Sequence, residues 1–194
     1  EAILLKEKIR GLFANVWTVP NILTMVRLAL VPVFIAVFFS DLTHNRVIAL
    51  TIFCLASLTD MLDGYLARKL NQISDFGKLF DPLADKLMVL SALICQGIAG
   101  VFPWSAIFIV LGKEILIVVG GAFMLNRGIV VSANYYGKTA TVFFMGSLIL
   151  SFLRDQLPVI GGHPLDLILL WVSVALAMLA LCVYAVQAWK KIKG

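Results

Sequence analysis

The chain has 194 residues, 61% of them apolar and 14% charged, with a mean hydropathy of +1.00. Soluble domains carry about 45–50% apolar and about 25% charged residues, so an ordinary water-soluble globule, a disordered chain and a disulfide scaffold are excluded. A protein this small cannot hide so much apolar surface, so lipid must solvate the excess, and the net charge of +5 reads as topology and contact with anionic headgroups, not as nucleic-acid binding.

Residues 1–15 open the chain with Leu5, Ile9, Leu12 and Phe13 on one helical stripe and Lys6, Glu7, Lys8 and Arg10 on the other faces. That pattern predicts a short amphipathic helix lying on the membrane surface. It lacks the short apolar core and small-residue cleavage site of a signal peptide. A membrane domain over residues 16–194 follows. A spanning helix needs about 20 mostly apolar residues. Six such segments occur, at 20–39, 46–67, 79–100, 103–125, 136–153 and 165–189. The uncharged run 87–112 contains Gly97, Gly100 and Pro103, which divide it into two helices meeting at a tight turn. The expected fold is therefore all-α: a polytopic membrane protein with six transmembrane helices plus the N-terminal interfacial helix.

Six crossings place both termini on one side. That side gathers Lys6, Lys8, Arg10, Arg68, Lys69, Lys78, Arg127, Lys138, Lys190, Lys191 and Lys193, while the opposite loops hold Arg46 and Arg154. The positive-inside rule puts the basic side, and both termini, in the cytoplasm. Cys54, Cys95 and Cys182 lie in apolar stretches with no CxxC or Cys/His pattern, so they read as small apolar side chains. His44 and His163 fall in outer loops and are assigned no chemistry.

Carboxylates inside lipid are costly and mark sites. Asp60 and Asp63 are three residues apart, and Asp81 and Asp85 four apart, so each pair shares one face of its helix. The connection 68–78 is short, which makes the two helices antiparallel neighbours with their acids facing each other. Four carboxylates that close stay ionised only if cations sit among them. Oxygen-only ligands favour hard divalent ions, Mg²⁺ or Mn²⁺, and a two-metal cluster suits phosphoryl chemistry. Gly64 and Ala67 continue the Asp60/Asp63 face almost without side chains, so a flat ligand could approach the backbone there. Arg68, four residues beyond Gly64, complements a phosphate. Gly77, placed before the third helix, either lets the chain turn under a nucleotide or serves as a turn glycine.

The spacing Asp60-x₂-Asp63-Gly64-x₂-Ala67-Arg68-x₈-Gly77-x₃-Asp81-x₃-Asp85 resembles the signature of the CDP-alcohol phosphotransferase (phosphatidyltransferase) family, with every fixed position filled. Pro20-Asn21-Ile22-Leu23-Thr24-Met25-Val26-Arg27 is similar to the family's lead-in to its first helix. Asp81-Pro82-Leu83-Ala84-Asp85-Lys86 resembles the form found in phosphatidylglycerophosphate synthases and related cardiolipin synthases, and Gly137-Lys138 with Thr139 and Thr141 resembles their fifth helix. The likeness covers about residues 18–190.

The resemblance implies an enzyme that moves the phosphatidyl group of CDP-diacylglycerol to an alcohol and releases CMP. It implies that Asp60, Asp63, Asp81 and Asp85 hold two divalent cations, with Asp85 as general base. Gly64, Ala67, Arg68 and Gly77, together with Asp60 and Asp63, would bind the cytidine diphosphate. Acceptor binding is expected at Asn21, Thr24, Arg27, Lys113 and Lys138, although Lys113-Glu114 reads equally as an internal ion pair. Arg127 reads as a topological anchor. A basic cavity favours a small phosphorylated acceptor, sn-glycerol 3-phosphate, giving phosphatidylglycerophosphate. One departure counts against it: where phosphatidylglycerophosphate synthases carry a second arginine on helix four, this chain has Gly121, beside Gly120. Cardiolipin synthases of the family also lack that arginine, so phosphatidylglycerol is the alternative acceptor, followed by inositol phosphate or serine. A small cation transporter would explain the acids but not Gly64, Ala67, Arg68 and Gly77 at those gaps. The resemblance further implies a homodimer, and a bacterial inner membrane with the active site facing the cytoplasm.

Overall fold

A computed structural model describes residues 18–69, 75–126 and 135–193; side chains at 20, 61, 63–69, 75–76, 78–79, 125–126 and 190–193 lie outside the description. The expected surface helix over 1–15 and Arg127 also lie outside the described residues. Six helices carry the described chain: α1 Val19–Phe38, α2 Asn45–Lys69, α3 Asp75–Ile98, α4 Trp104–Asn126, α5 Tyr135–Ser151 and α6 Leu165–Lys193. A 3₁₀ turn, Arg154–Gln156, and a hairpin of β1 Val159–Ile160 with β2 His163–Pro164 lie between α5 and α6.

Every predicted apolar segment is a helix. Three of them, Asn21–Phe38, Trp104–Met124 and Leu165–Trp189, are long and apolar enough to cross a membrane. The hydroxyls of Thr51, Ser57, Thr59, Thr139, Thr141, Ser151 and Ser173 each donate to a carbonyl three or four residues back in their own helix. Helices surrounded by hydrocarbon need that internal satisfaction of polar groups. All three cysteines are free; Cys95 is buried, while Cys54 and Cys182 lie on exposed helix faces.

One boundary differs in a way that matters. α3 begins at Asp75, so Gly77 lies in its first turn, buried, and does not precede the helix. A single glycine near a helix end costs only about 0.5–1 kcal/mol. The apolar periodicity that continues through Ala84, Met88 and Ala92, all buried, outweighs it.

The chain divides into two compact units, Glu1–Cys95 and Gln96–Gly194. In the first, α1 packs on α2. Phe34, Phe38 and Phe53 form its aromatic core, with ring centroids 6.0 and 6.4 Å apart, and the fully buried Ala49 and Ala56 let the helices approach. The Asn45 amide donates to the carbonyls of Phe38 and Ser40, closing the α1–α2 turn, and the Arg46 guanidinium lies 4.6 Å above the Phe38 ring.

In the second unit the end of α3 is a Schellman turn: Gly100 at φ +70° donates to the Gly97 carbonyl, and Val101 donates to Gln96. This is the tight turn expected from Gly97, Gly100 and Pro103. α5 pairs with α6, and α4 also packs on α6. Gly161 and Gly162, at φ +61° and +82°, form the two-residue loop of the hairpin, with Ile160 opposite His163. Below it the Arg154 guanidinium donates through Nε and Nη2 to Asp166 Oδ2, at 3.0 and 2.8 Å, and the Ser147 hydroxyl donates to the Asp166 carbonyl. The Asp166 side chain is fully buried. Sequence reading placed Arg154 and His163 in an outer loop, without these elements.

Candidate active site

The acids sit where helical periodicity sends them. On α2 the buried positions Ala49, Phe53 and Ala56 are followed on the same stripe by Asp60. On α3 the buried stripe Ala84, Met88, Ala92 and Cys95 continues back to Asp81 and Asp85. These carboxylates therefore project from the faces that pack the first unit together.

α1 supplies their partners. Asn21, Thr24 and Arg27 are its fully buried polar residues, spaced three apart on the face it turns inward. The Arg27 guanidinium donates through Nη1 to Asp60 Oδ1 at 2.6 Å. The Thr24 hydroxyl donates to Asp81 Oδ1. Asp85 lies within electrostatic reach of Asp60, Arg27 and Lys86. One helix thus reaches an acid on each of the other two.

The arrangement leaves coordination capacity. Arg27 is 1% exposed while Asp60 is 40% exposed: the cation is buried and the carboxylate is open. Among the described residues no hydrogen bond reaches Oδ2 of Asp60 or of Asp81. The donors are carboxylate oxygens, suited to hard divalent cations and not to soft ones. Among the described residues no three of His, Cys, Asp and Glu gather closely enough to hold one ion. A four-carboxylate set draws on Asp63, whose side chain lies outside the description. Gly64, Ala67 and Arg68 follow it on the α2 backbone, also without described side chains.

The sequence-derived acceptor residues separate into kinds. Thr24 and Arg27 are bound to the acids themselves. Lys113, midway along α4, pairs with its neighbour Glu114 at 2.7 Å, the internal pair named as one of its two readings. Lys138 is exposed on the first turn of α5. At Gly121 a Cβ would stand 3.7 Å from the Tyr184 hydroxyl. Sequence reading missed the direct Thr24–Asp81 and Arg27–Asp60 contacts; the available signal was the spacing of three polar residues along an otherwise apolar α1.

The family model for CDP-alcohol phosphatidyltransferases matches residues 17–179. The chain belongs to the CDP-alcohol phosphatidyltransferase family. It is an enzyme of phospholipid synthesis embedded in a membrane. It is 30% identical over 192 residues to the CDP-diacylglycerol–glycerol-3-phosphate 3-phosphatidyltransferase of Bacillus subtilis, covering 91% of this chain and 98% of that one. It is 33% identical over 193 residues to an Arabidopsis thaliana protein named CDP-diacylglycerol–glycerol-3-phosphate 3-phosphatidyltransferase 2, covering 92% of this chain and 83% of that one. A Mycobacterium bovis protein provisionally named as a cardiolipin synthase is 36% identical over 132 residues, covering 68% of this chain and 62% of that one.

Proposed function

We propose that this enzyme transfers the phosphatidyl group of CDP-diacylglycerol to sn-glycerol 3-phosphate, giving phosphatidylglycerophosphate and CMP. The observation that carries the chemistry is the pair of contacts from α1, Thr24 on Asp81 and Arg27 on Asp60, which hold two motif carboxylates by one oxygen each and, among the described residues, leave the other oxygen without a hydrogen bond. The acceptor rests on likeness to relatives matched over nearly their whole length.

Asp60, Asp63, Asp81 and Asp85 would hold two divalent cations, Mg²⁺ or Mn²⁺. When bound, such ions supply charge neutralisation at the diphosphate and at the departing CMP. Arg27 and Thr24 hold Asp60 and Asp81 in orientation, so little rearrangement is needed when the donor arrives. Gly64, Ala67 and Gly77 leave room for the cytidine diphosphate, and Arg68 complements its phosphates. Asp85 takes the proton of the acceptor hydroxyl. The acceptor oxygen forms a bond to the phosphorus that carries diacylglycerol. The bond from that phosphorus to the CMP oxygen breaks, and no covalent enzyme intermediate forms. Asn21, Lys113 and Lys138 are proposed contacts to the acceptor phosphate.

All six helices are read as spans. α2, α3 and α5 have 25, 24 and 17 residues. At about 1.5 Å per residue they reach about 25–37 Å, comparable with a hydrocarbon core of about 30 Å. Leu55 and Leu58 of α2 are more than half exposed, as lipid-facing residues are. The basic side then faces the cytoplasm of a bacterial inner membrane, with both termini there, in a homodimer.

One observation favours a second acceptor, phosphatidylglycerol: Gly121 supplies no cation where the phosphatidylglycerophosphate synthases have an arginine, and what faces it from α6 is the uncharged Tyr184 hydroxyl. The deciding experiment offers purified enzyme Mg²⁺ or Mn²⁺, CDP-diacylglycerol and, in parallel, glycerol 3-phosphate, phosphatidylglycerol, inositol 1-phosphate and serine, and identifies the lipid formed. Phosphatidylglycerophosphate is expected. Cardiolipin from phosphatidylglycerol alone would transfer the assignment to the second reading, and CMP release without any acceptor would overturn transfer itself.

A further inference from the structure

A groove of ≈ 430 Å³ runs between α4 and α6 within the second unit. From α4 it is walled by Leu116, Gly120, Phe123 and Met124, and from α6 by Leu181, Tyr184, Ala185, Ala188 and Trp189. Both sets follow the spacing of a single helix face. The two faces meet across small residues without closing: a Cβ on Gly121 would stand 3.7 Å from the Tyr184 hydroxyl, and one on Gly120 would stand 3.9 Å from its ring, ordinary contact distances. A methyl group fits at either glycine. A longer side chain would enter the groove.

Three observations identify the occupant. α4 and α6 are both long and apolar enough to span a membrane, so the medium around this groove is hydrocarbon. The lining side chains are apolar but for the Tyr184 hydroxyl and the Trp189 indole nitrogen, and among the described residues no hydrogen bond reaches that hydroxyl. A phenol in hydrocarbon without a partner costs free energy, and an ester carbonyl would accept its proton. Tyr184 lies six residues before Lys190 on α6. At about 1.5 Å per residue this is about 9 Å along the helix from its basic end, a depth that suits glycerol esters beneath the headgroups.

We propose that this groove holds one acyl chain of a resident glycerophospholipid of the bulk membrane. The Tyr184 hydroxyl donates to the lipid's ester carbonyl, and Gly120 and Gly121 keep the channel open. Among the described residues none of the signature acids lines it, and the proposal uses no step of phosphatidyl transfer; Gly121, at its edge, is the position that the second acceptor reading also uses, so selective displacement of the bound lipid by phosphatidylglycerol would overturn the assignment to bulk lipid.

The test uses the full chain, purified in mild detergent and stripped of lipid, then titrated with dipalmitoylphosphatidylethanolamine and read by native mass spectrometry. One molecule is expected per chain. Gly121→Leu should abolish that stoichiometric binding, Gly121→Ala should keep it, and Tyr184→Phe should weaken it about fivefold, one hydrogen bond's worth. If Gly121→Leu does not fold, Ala185→Leu fills the groove from α6, and Tyr184→Phe requires no extra room. Equal binding by the wild type, the groove-filling variant that folds and Tyr184→Phe would overturn the site. Displacement of the bound lipid by one equivalent of CDP-diacylglycerol would overturn the assignment to bulk lipid and make the groove part of the donor site.

Discussion

Among the described residues each unit of the molecule contains one Arg–Asp pair, and the two are built with opposite polarity. In the first unit Arg27 is sealed in and Asp60 is open; in the second Asp166 is sealed in and Arg154 is 23% exposed. The contacts are of similar length, 2.6 and 2.8 Å. What differs is which partner can still meet a ligand. An open carboxylate oriented by a buried cation is a ligand held ready. A buried carboxylate clamped by two donors from one guanidinium is a fastening, here holding the 3₁₀ turn to the start of α6. Distance alone would call these equivalent; burial separates a site from a staple.

The largest effect falls on the open side. Asp85→Asn removes the proposed base near Asp60 and should lower turnover about 10²- to 10⁴-fold while CDP-diacylglycerol still binds. CMP release and donor binding, measured separately, check this; near-normal turnover would remove Asp85 from that role. Chelation with EDTA should stop wild-type turnover, and restoring Mg²⁺ or Mn²⁺ should recover it.

Exchanging the arginines then tests the polarity directly. Arg154→Met strands a buried carboxylate and should destabilise the protein by about 3–5 kcal/mol. Arg27→Met leaves Asp60 40% exposed and able to find other partners, so it should cost less stability than Arg154→Met. Turnover of Arg27→Met should nonetheless fall about 10- to 100-fold, as when an orienting partner of a ligand is lost. Thermal unfolding in detergent beside CMP release separates the two. If both variants lost stability equally, the contrast between site and staple would fail.

Much of this was legible from the chain alone. The helices were readable because lipid demands long apolar runs, and Gly97, Gly100 and Pro103 interrupt one where the chain must turn. The faces carrying Asp60, Asp81 and Asp85 followed from helical periodicity. The pairing of Thr24 with Asp81 and of Arg27 with Asp60 was not legible, because it depends on the register of α1 against two other helices, which no spacing within one helix encodes. Arg154 and Asp166 were separated by a hairpin whose strands of two residues are too short to show alternation. Gly161-Gly162 was the turn signal there. Gly77 was placed outside its helix because glycine marks turns in sequence, whereas in a first turn its cost is small.

The third ion pair is the mildest test of the same idea. Lys113 is 17% exposed and Glu114 47% exposed, and they are neighbours in the chain, so neither acid nor base is sealed in. Glu114→Gln keeps an amide oxygen beside Lys113 that can accept its proton, so it should cost less stability than Arg154→Met. If Lys113 also holds an acceptor phosphate, Lys113→Met should raise the KM for glycerol 3-phosphate about 10- to 100-fold, the loss of a hydrogen bond to a charged group, with the KM for CDP-diacylglycerol unmoved. Equal shifts in both constants, or in neither, would leave Lys113 with Glu114 as its only partner. The pair would then be a device for carrying two charges through the middle of an apolar helix.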